Sequence, residues 1–371
     1  MKKIDKKFKI DRWEFCSQNP LIIAELGTSH NGDINKAKLM IEAAAAAGAD
    51  CVKFQIVYAD EILHPNTGLV PLPGGNIRLY DKFKALETPL DFWAEVKTYT
   101  ESKGLLFLCT PFGLKSAAIL KALNPQMVKI ASPELNYTSL LEEIADWGLP
   151  VLLSTGVSTL GNIEKAVEIL ESNTQLCLLH CVTSYPAPET DYNLRILPNL
   201  AGIFGVQVGV SDHSNDPELV PALAVSMGAA VIEKHFCLSR DDPGLDDPIA
   251  LPPPAFSQMV KAIRKAAKSS AEETITHYNT EKGAELVERI LGNGIKKLAA
   301  SERANYRLTN RSIHALRDIA IGEVLSKNDY GVLRTEKVLR PGLEPCLEKI
   351  LEGKAARNFI PAGEGIRFED I

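Results

Sequence analysis

The sequence predicts an α/β protein, a (β/α)8 barrel followed by a small β-rich domain. Eight short apolar or β-branched runs recur along the first two thirds of the chain, at 21–26, 51–56, 105–110, 127–132, 151–155, 175–181, 206–212 and 230–236. Segments with helical periodicity separate them, among them INKAKLMIEAAAAAGA, PLDFWAEVKTYTESKG and NIEKAVEILES, several closed by glycine. The runs are nearly continuously apolar, as strands of a parallel sheet covered by helices on its outer side should be. A doubly wound sheet is the alternative architecture.

Taken in order, the N-terminal stretch MKKIDKKFKIDRWEF is basic but has no apolar segment of a signal peptide, and no run approaches the length of a membrane helix. The expectation is a protein with no membrane association. The interval after the second strand is longer than the others, and residues 57–88 are placed to form a lid or a substrate wall. The barrel is expected over 16–285. Residues 286–307, polar and poorly periodic, read as a linker, and 308–371 as the β-rich domain, with short runs broken by glycine and proline. Within that domain IAIGE and IPAGE hint at an internal pseudo-repeat.

Composition narrows the function. Forty-one Lys and Arg against 47 Asp and Glu give a net charge of −6, which argues against a nucleic-acid partner. Any anionic substrate must then be held by local cations. Seven cysteines, odd in number and without a C-x-x-C pair, fit reduced thiols and a cytoplasmic location.

In such a barrel, polar residues at the C-terminal ends of the strands face the active site. Nearly every strand contributes. The first ends in Glu25; the second carries Lys53 and Gln55; the third ends in Thr110; the fourth carries Lys129 and Ser132. The fifth ends in Ser154, the sixth leads into Thr183, Ser184 and Tyr185, the seventh ends in Ser211, Asp212 and His213, and the eighth carries Glu233, Lys234 and His235. A lysine inside an apolar strand is costly unless paired or ligand-bound, so Lys53 and Lys129 together suggest an anion site. A Schiff-base role for one lysine stays open. His213 and His235, on adjacent strands, can converge on one divalent ion. Cys177, His180 and Cys181 are read as core, because alternation turns His180 away from both cysteines.

The ordered segments IIAELGTSHNGD, GADCVKFQ, CTPF, VKIASPELN, LLSTGVS, LLHCVTSYPAP, VGVSDHS and VIEKHF resemble the sialic acid synthase (NeuB) family from about residue 18 to the end. The tail NRSIHALRDIAIGEVLSKNDYGVLR…GKAARNFIPAGEGIRFEDI resembles that family's antifreeze-like (SAF) domain, a small β-clip fold. The resemblance implies condensation of phosphoenolpyruvate with an N-acylated amino sugar and loss of phosphate by C–O cleavage. It implies that Lys53, Thr110, Lys129, Ser132, Ser154, Thr183 and Ser211 surround phosphoenolpyruvate, and that His213 and His235 hold Mn²⁺ or Mg²⁺. Glu25 is the candidate for handling the water or aldehyde proton, with Glu233 assisting, and Tyr185 and Asp246 match sugar-binding positions. Arg311 matches an arginine that reaches the substrate's N-acyl group in the partner subunit, which implies a domain-swapped homodimer.

N-acetylneuraminate synthesis is the first expectation for the product. Departures keep the legionaminate and pseudaminate branches open: Pro133 follows the strand-four serine, and KIASPE with LYDKFKALETPLDFW is similar to pseudaminic acid synthases. In the insertion, Asn76 and Tyr80 are candidates for reading the sugar. Related condensing barrels for seven- or eight-carbon keto acids lack the tail. A non-catalytic carbohydrate-binding protein is the reading from another class.

Overall fold

The computed structural model describes residues 7–72, 75–171 and 174–371. Eight strands form one parallel sheet: β1 (Leu21–Gly27), β2 (Cys51–Ile56), β3 (Leu106–Pro111), β4 (Val128–Ile130), β5 (Val151–Ser154), β6 (Leu176–Cys181), β7 (Gln207–Asp212) and β8 (Val231–His235). Their order around the sheet is β3-β2-β1-β8-β7-β6-β5-β4, and the two outer strands lie side by side, so the sheet rolls into a nearly closed barrel. The expected (β/α)8 architecture is what the chain adopts.

Alternation along the strands sorts the side chains. Outward residues such as Ile22, Ala24, Val52, Phe54, Leu153, Leu178 and Ile232 are packed with the helices in the main core. Inward residues fill a second, lower core that includes Leu21, Ile23, Cys51, Leu108, Leu152, Cys177, Leu179 and Val231. A hairpin, Phe8–Ile10 paired with Trp13–Phe15, closes the barrel floor by adding Phe8, Ile10 and Phe15 to this layer. The floor is therefore dry, and the next inward layer toward the C-terminal ends is where polar groups appear.

Registers set that layer. Glu25 pairs with Lys53 across β1 and β2 and with His235 across β8, while Ser211 faces Glu233. Gly209 is required on β7, since a Cβ there would lie 2.3 Å from the Val231 carbonyl oxygen. Surrounding helices begin and end as their sequences direct: Asp33 caps Ile34–Ala46 through the amides of Asn35 and Lys36, and Gly205 in the left-handed region ends Ile196–Phe204.

The insertion after β2 packs a small core of its own, with Val57, Ile62, Leu63, Val70, Leu79 and Leu86 against Phe112. Residues 286–291, read from sequence as the start of the linker, instead complete a helix, Ala284–Leu291, whose Val287, Ile290 and Leu291 are buried. Apolar residues at helical spacing drive that packing, so the irregular connection runs only from 292 to 311. The C-terminal domain has a separate core of Ile313, Ala315, Ile319, Leu325, Tyr330, Ile360 and Ile366. Its IAIGE and IPAGE elements pair with each other, Ile319 and Ile360 exchanging both backbone hydrogen bonds. No described helix is long and apolar enough to cross a membrane.

Candidate active site

Above the dry floor, the C-terminal ends of the strands open into a cavity of about 620 Å³. Its base holds a continuous ionic network. Lys53 Nζ lies 3.0 Å from Glu233 Oε1 and 3.4 Å from Glu25 Oε2, and Gln55 Nε2 donates to Glu25 Oε1 at 2.6 Å. Lys129 Nζ donates to Ser154 Oγ at 2.6 Å and to the Ile130 carbonyl, and lies 4.0 Å from Glu233 Oε1. Ser211 Oγ donates to the same Glu233 oxygen at 2.9 Å.

Two lysines and two carboxylates are buried here almost without access to water. Burial pushes the Glu25 carboxyl up to about 7, against the pull of Lys53. Burial also raises Glu233, but Lys129 and Lys53 outweigh it and hold this carboxyl down at about 2. Desolvation lowers Lys129 to about 8; the same desolvation acts on Lys53, yet Glu233 and Glu25 keep that ammonium charged. Glu25 and Glu233 thus have opposite characters, one titrating near neutrality and the other permanently ionised. Glu25 Oε2, Glu233 Oε2 and Thr110 Oγ1 are buried and receive no hydrogen bond, although Glu25 Oε2 lies 3.4 Å from the Lys53 ammonium.

On the β7–β8 side, the rings of His213 and His235 lie 5.4 Å apart. Tyr185 stacks on His213 at 4.2 Å, and Asp246 Oδ2 lies 3.7 Å from His235 Nδ1. His213 Nδ1 is 2.9 Å from the Val182 carbonyl, which only accepts, so Nδ1 carries the hydrogen and Nε2 is the free nitrogen.

Most strand-end residues singled out in the sequence line this one cavity; Thr110, Ser184, Asp212 and Lys234 do not. Thr110 faces Gln55 across β2 and β3, directly beneath. Asp212 and Lys234, at neighbouring positions, point the other way and pair with each other at 2.5 Å, outside the cavity. Cys181 lines the wall, whereas His180 points outward to the Tyr192 carbonyl.

Arg311 is placed differently from the sequence expectation. Its guanidinium is wholly buried, 3.0 Å from Glu134 and donating to the carbonyls of Phe112, Glu61 and Val332, all in the same chain. It does not line the cavity. Arg334, 2.5 Å from the same Glu134, does, together with Glu336 and Lys337 of the C-terminal domain and Asn305 and Thr309 of the connection. The insertion supplies another wall through Val70, Ile77, Leu79, Lys82 and Phe83. Asn76 and Tyr80 are not in that wall, and the Tyr80 hydroxyl donates to Asp60.

Residues 40–274 match the model of the NeuB family, and residues 310–371 match the SAF domain. The chain belongs to the NeuB family. Among its relatives is the spore coat polysaccharide biosynthesis protein SpsE of Bacillus subtilis, 35% identical over 94% of this chain and 93% of that protein. The crystal structure of SpsE superposes with a TM-score of 0.81 at 33% identity, covering 98% of this chain and 99% of that one. The N,N'-diacetyllegionaminic acid synthase of Campylobacter jejuni is 34% identical over 91% of this chain and 96% of its own. The pseudaminic acid synthase of Helicobacter pylori is 32% identical over 95% and 98%. The fold and the C-terminal SAF domain are thus shared with NeuB proteins along nearly the whole length.

Proposed function

We propose that this NeuB protein condenses phosphoenolpyruvate with an N-acylated mannosamine-type sugar to give a nonulosonic acid and phosphate. The observation that carries the reading is one cavity walled by two buried lysines and by two imidazoles, under an SAF cap. Lys53 and Lys129 offset the charge of the carboxylate and phosphate, with the hydroxyls of Ser132, Ser154 and Thr183 around them and Ser211 holding Glu233 in place. Tyr185, Asp246 and the apolar wall of the insertion face the sugar.

The residues fit a divalent ion, Mn²⁺ or Mg²⁺, held by His213 Nε2 and His235. Among the described residues no three His, Cys, Asp or Glu side chains converge as a ligand set, so water and substrate oxygens would complete the shell. Such an ion supplies Lewis acidity at the sugar's aldehyde oxygen. The third carbon of phosphoenolpyruvate forms the new bond to the aldehyde carbon as the C=O π bond opens to an alkoxide, which takes the proton that Glu25 later removes from water. Cationic character is left at the second carbon of phosphoenolpyruvate. The carboxylates of Glu233 and Glu25 beside Lys53 favour that charge. Water adds there, and Glu25, a cavity-lining carboxyl titrating near 7, takes its proton. Collapse of the tetrahedral centre breaks the C–O bond, forms the keto group and releases phosphate.

A homodimer whose subunits exchange caps remains part of the proposal, as does a reducing cytoplasm, in keeping with seven unpaired cysteines.

The test is phosphate release from phosphoenolpyruvate and Mn²⁺ with N-acetylmannosamine, the 2,4-diacetamido-6-deoxymannose of the legionaminate route, or the altrose counterpart of the pseudaminate route. Release with one sugar establishes the reaction and names the branch; silence across the panel from folded, metal-loaded protein overturns it. The lowered Lys129 amine favours a second reading, a Schiff-base aldolase, which would instead give a borohydride-trapped adduct and indifference to chelators.

A further inference from the structure

The connection between barrel and cap is not a loose tether where it crosses the mouth. Glu302, 1% exposed, turns its carboxylate into the protein. One oxygen accepts from the amides of both Val157 and Thr183 at 3.0 Å, and the other accepts from Ala299 N at 3.1 Å. Those two amides belong to the loops after β5 and β6. Neighbouring residues of the strap repeat the pattern: Asn305 donates to the Thr183 carbonyl at 2.7 Å, and Lys296 to the Thr155 carbonyl at 3.0 Å.

The clamped turn is a strained one. Val157 is β-branched yet has φ of +42°, a conformation that persists only when its surroundings impose it. Glu302 holds its amide, and Asn310 donates to its carbonyl at 3.3 Å. The preceding residue shows what the turn is for. Gly156 N donates to Ser132 Oγ at 3.0 Å, and a Cβ on Gly156 would lie 2.2 Å from Thr183 Oγ1. The strained turn thus presses a bare backbone against two hydroxyls that line the cavity.

We infer that Glu302 is a positioning residue for the anion-binding end of the site, holding the 155–157 turn and Thr183 so that the hydroxyls of Ser132 and Thr183 receive phosphoenolpyruvate. The inference rests on the condensation reading above. It makes the strap, and through it the seating of the cap, a determinant of affinity for one substrate and not the other.

The test is Glu302→Gln in the full chain, with Asn310→Ala as a milder second variant. Gln keeps the shape but turns an NH2 group toward amides that need an acceptor. With folding checked by near-UV circular dichroism, phosphoenolpyruvate binding by calorimetry should weaken by about tenfold in Glu302→Gln, the loss of a charge-assisted bond, and less in Asn310→Ala. KM for the sugar should stay within about twofold. Folded Glu302→Gln that binds phosphoenolpyruvate like wild type, or that loses both substrates equally, overturns the inference; so does failure of both variants to fold, which assigns Glu302 to the fold alone. Wild type that does not bind phosphoenolpyruvate at all would overturn the condensation reading itself.

Discussion

Replacing Glu25 by glutamine removes a buried carboxylate at nearly constant shape, and its effect can be worked from the structure. The side chain is 1% exposed, and burial lifts its carboxyl from 4.5 to about 7. The folded protein then binds this proton more tightly than the unfolded chain does. The resulting stabilisation is fully present below pH 4.5 and is lost as the pH rises through 7. That gap corresponds to roughly 3 kcal/mol. Wild type should therefore lose about 3 kcal/mol relative to Glu25→Gln between pH 4.5 and pH 8, measured as the difference between urea unfolding free energies of the two proteins. Groups common to both, including Asp246, whose burial raises it to about 6, largely cancel in the difference. In the same pH range kcat/KM of wild type should rise through about 7, as a base requires, and the variant should be slower by about 10²–10⁴-fold. A stability difference flat with pH would refute the assignment of the near-neutral titration to Glu25.

The ionic layer was legible in the sequence because a charge within an apolar strand is conspicuous. Lys53, Lys129, Glu233, His213 and His235 needed only the strand ends, whereas Asp212 and Lys234, counted with them in the sequence, turn outward to pair with each other. Arg311 could not be placed that way. Its burial against Glu134 depends on how the cap sits on the barrel, which no local pattern encodes. Arg334 and Glu302 were missed for the same reason: no local pattern sets them apart from neighbouring charged residues, and only tertiary packing brings one to the cavity and the other to Val157 and Thr183. The helix over Ala284–Leu291 was readable from its apolar spacing, but the neighbouring polar residues obscured it.

Further outcomes are expected. Gly156→Ala should weaken phosphoenolpyruvate binding by roughly ten- to a hundredfold, because the new methyl must displace Thr183 or Ser132 at a cost of about 1–3 kcal/mol; calorimetry checks it. Arg311→Ala should destabilise the protein by about 3 kcal/mol in urea unfolding, since it leaves buried carbonyls and part of Glu134 without a partner, with sugar KM in the folded protein little changed. Chelation should abolish phosphate release, with Mn²⁺ restoring it in wild type but not in His213→Ala.

The most direct measurement uses phosphoenolpyruvate labelled with ¹⁸O in the bridge between its second carbon and phosphorus, turned over with the accepted amino sugar. C–O cleavage carries the label into the released phosphate, detected by mass spectrometry, and leaves the nonulosonic acid unlabelled. Label retained in the sugar acid, with unlabelled phosphate, would show P–O cleavage and contradict the mechanism built on Glu25, Lys53 and Lys129.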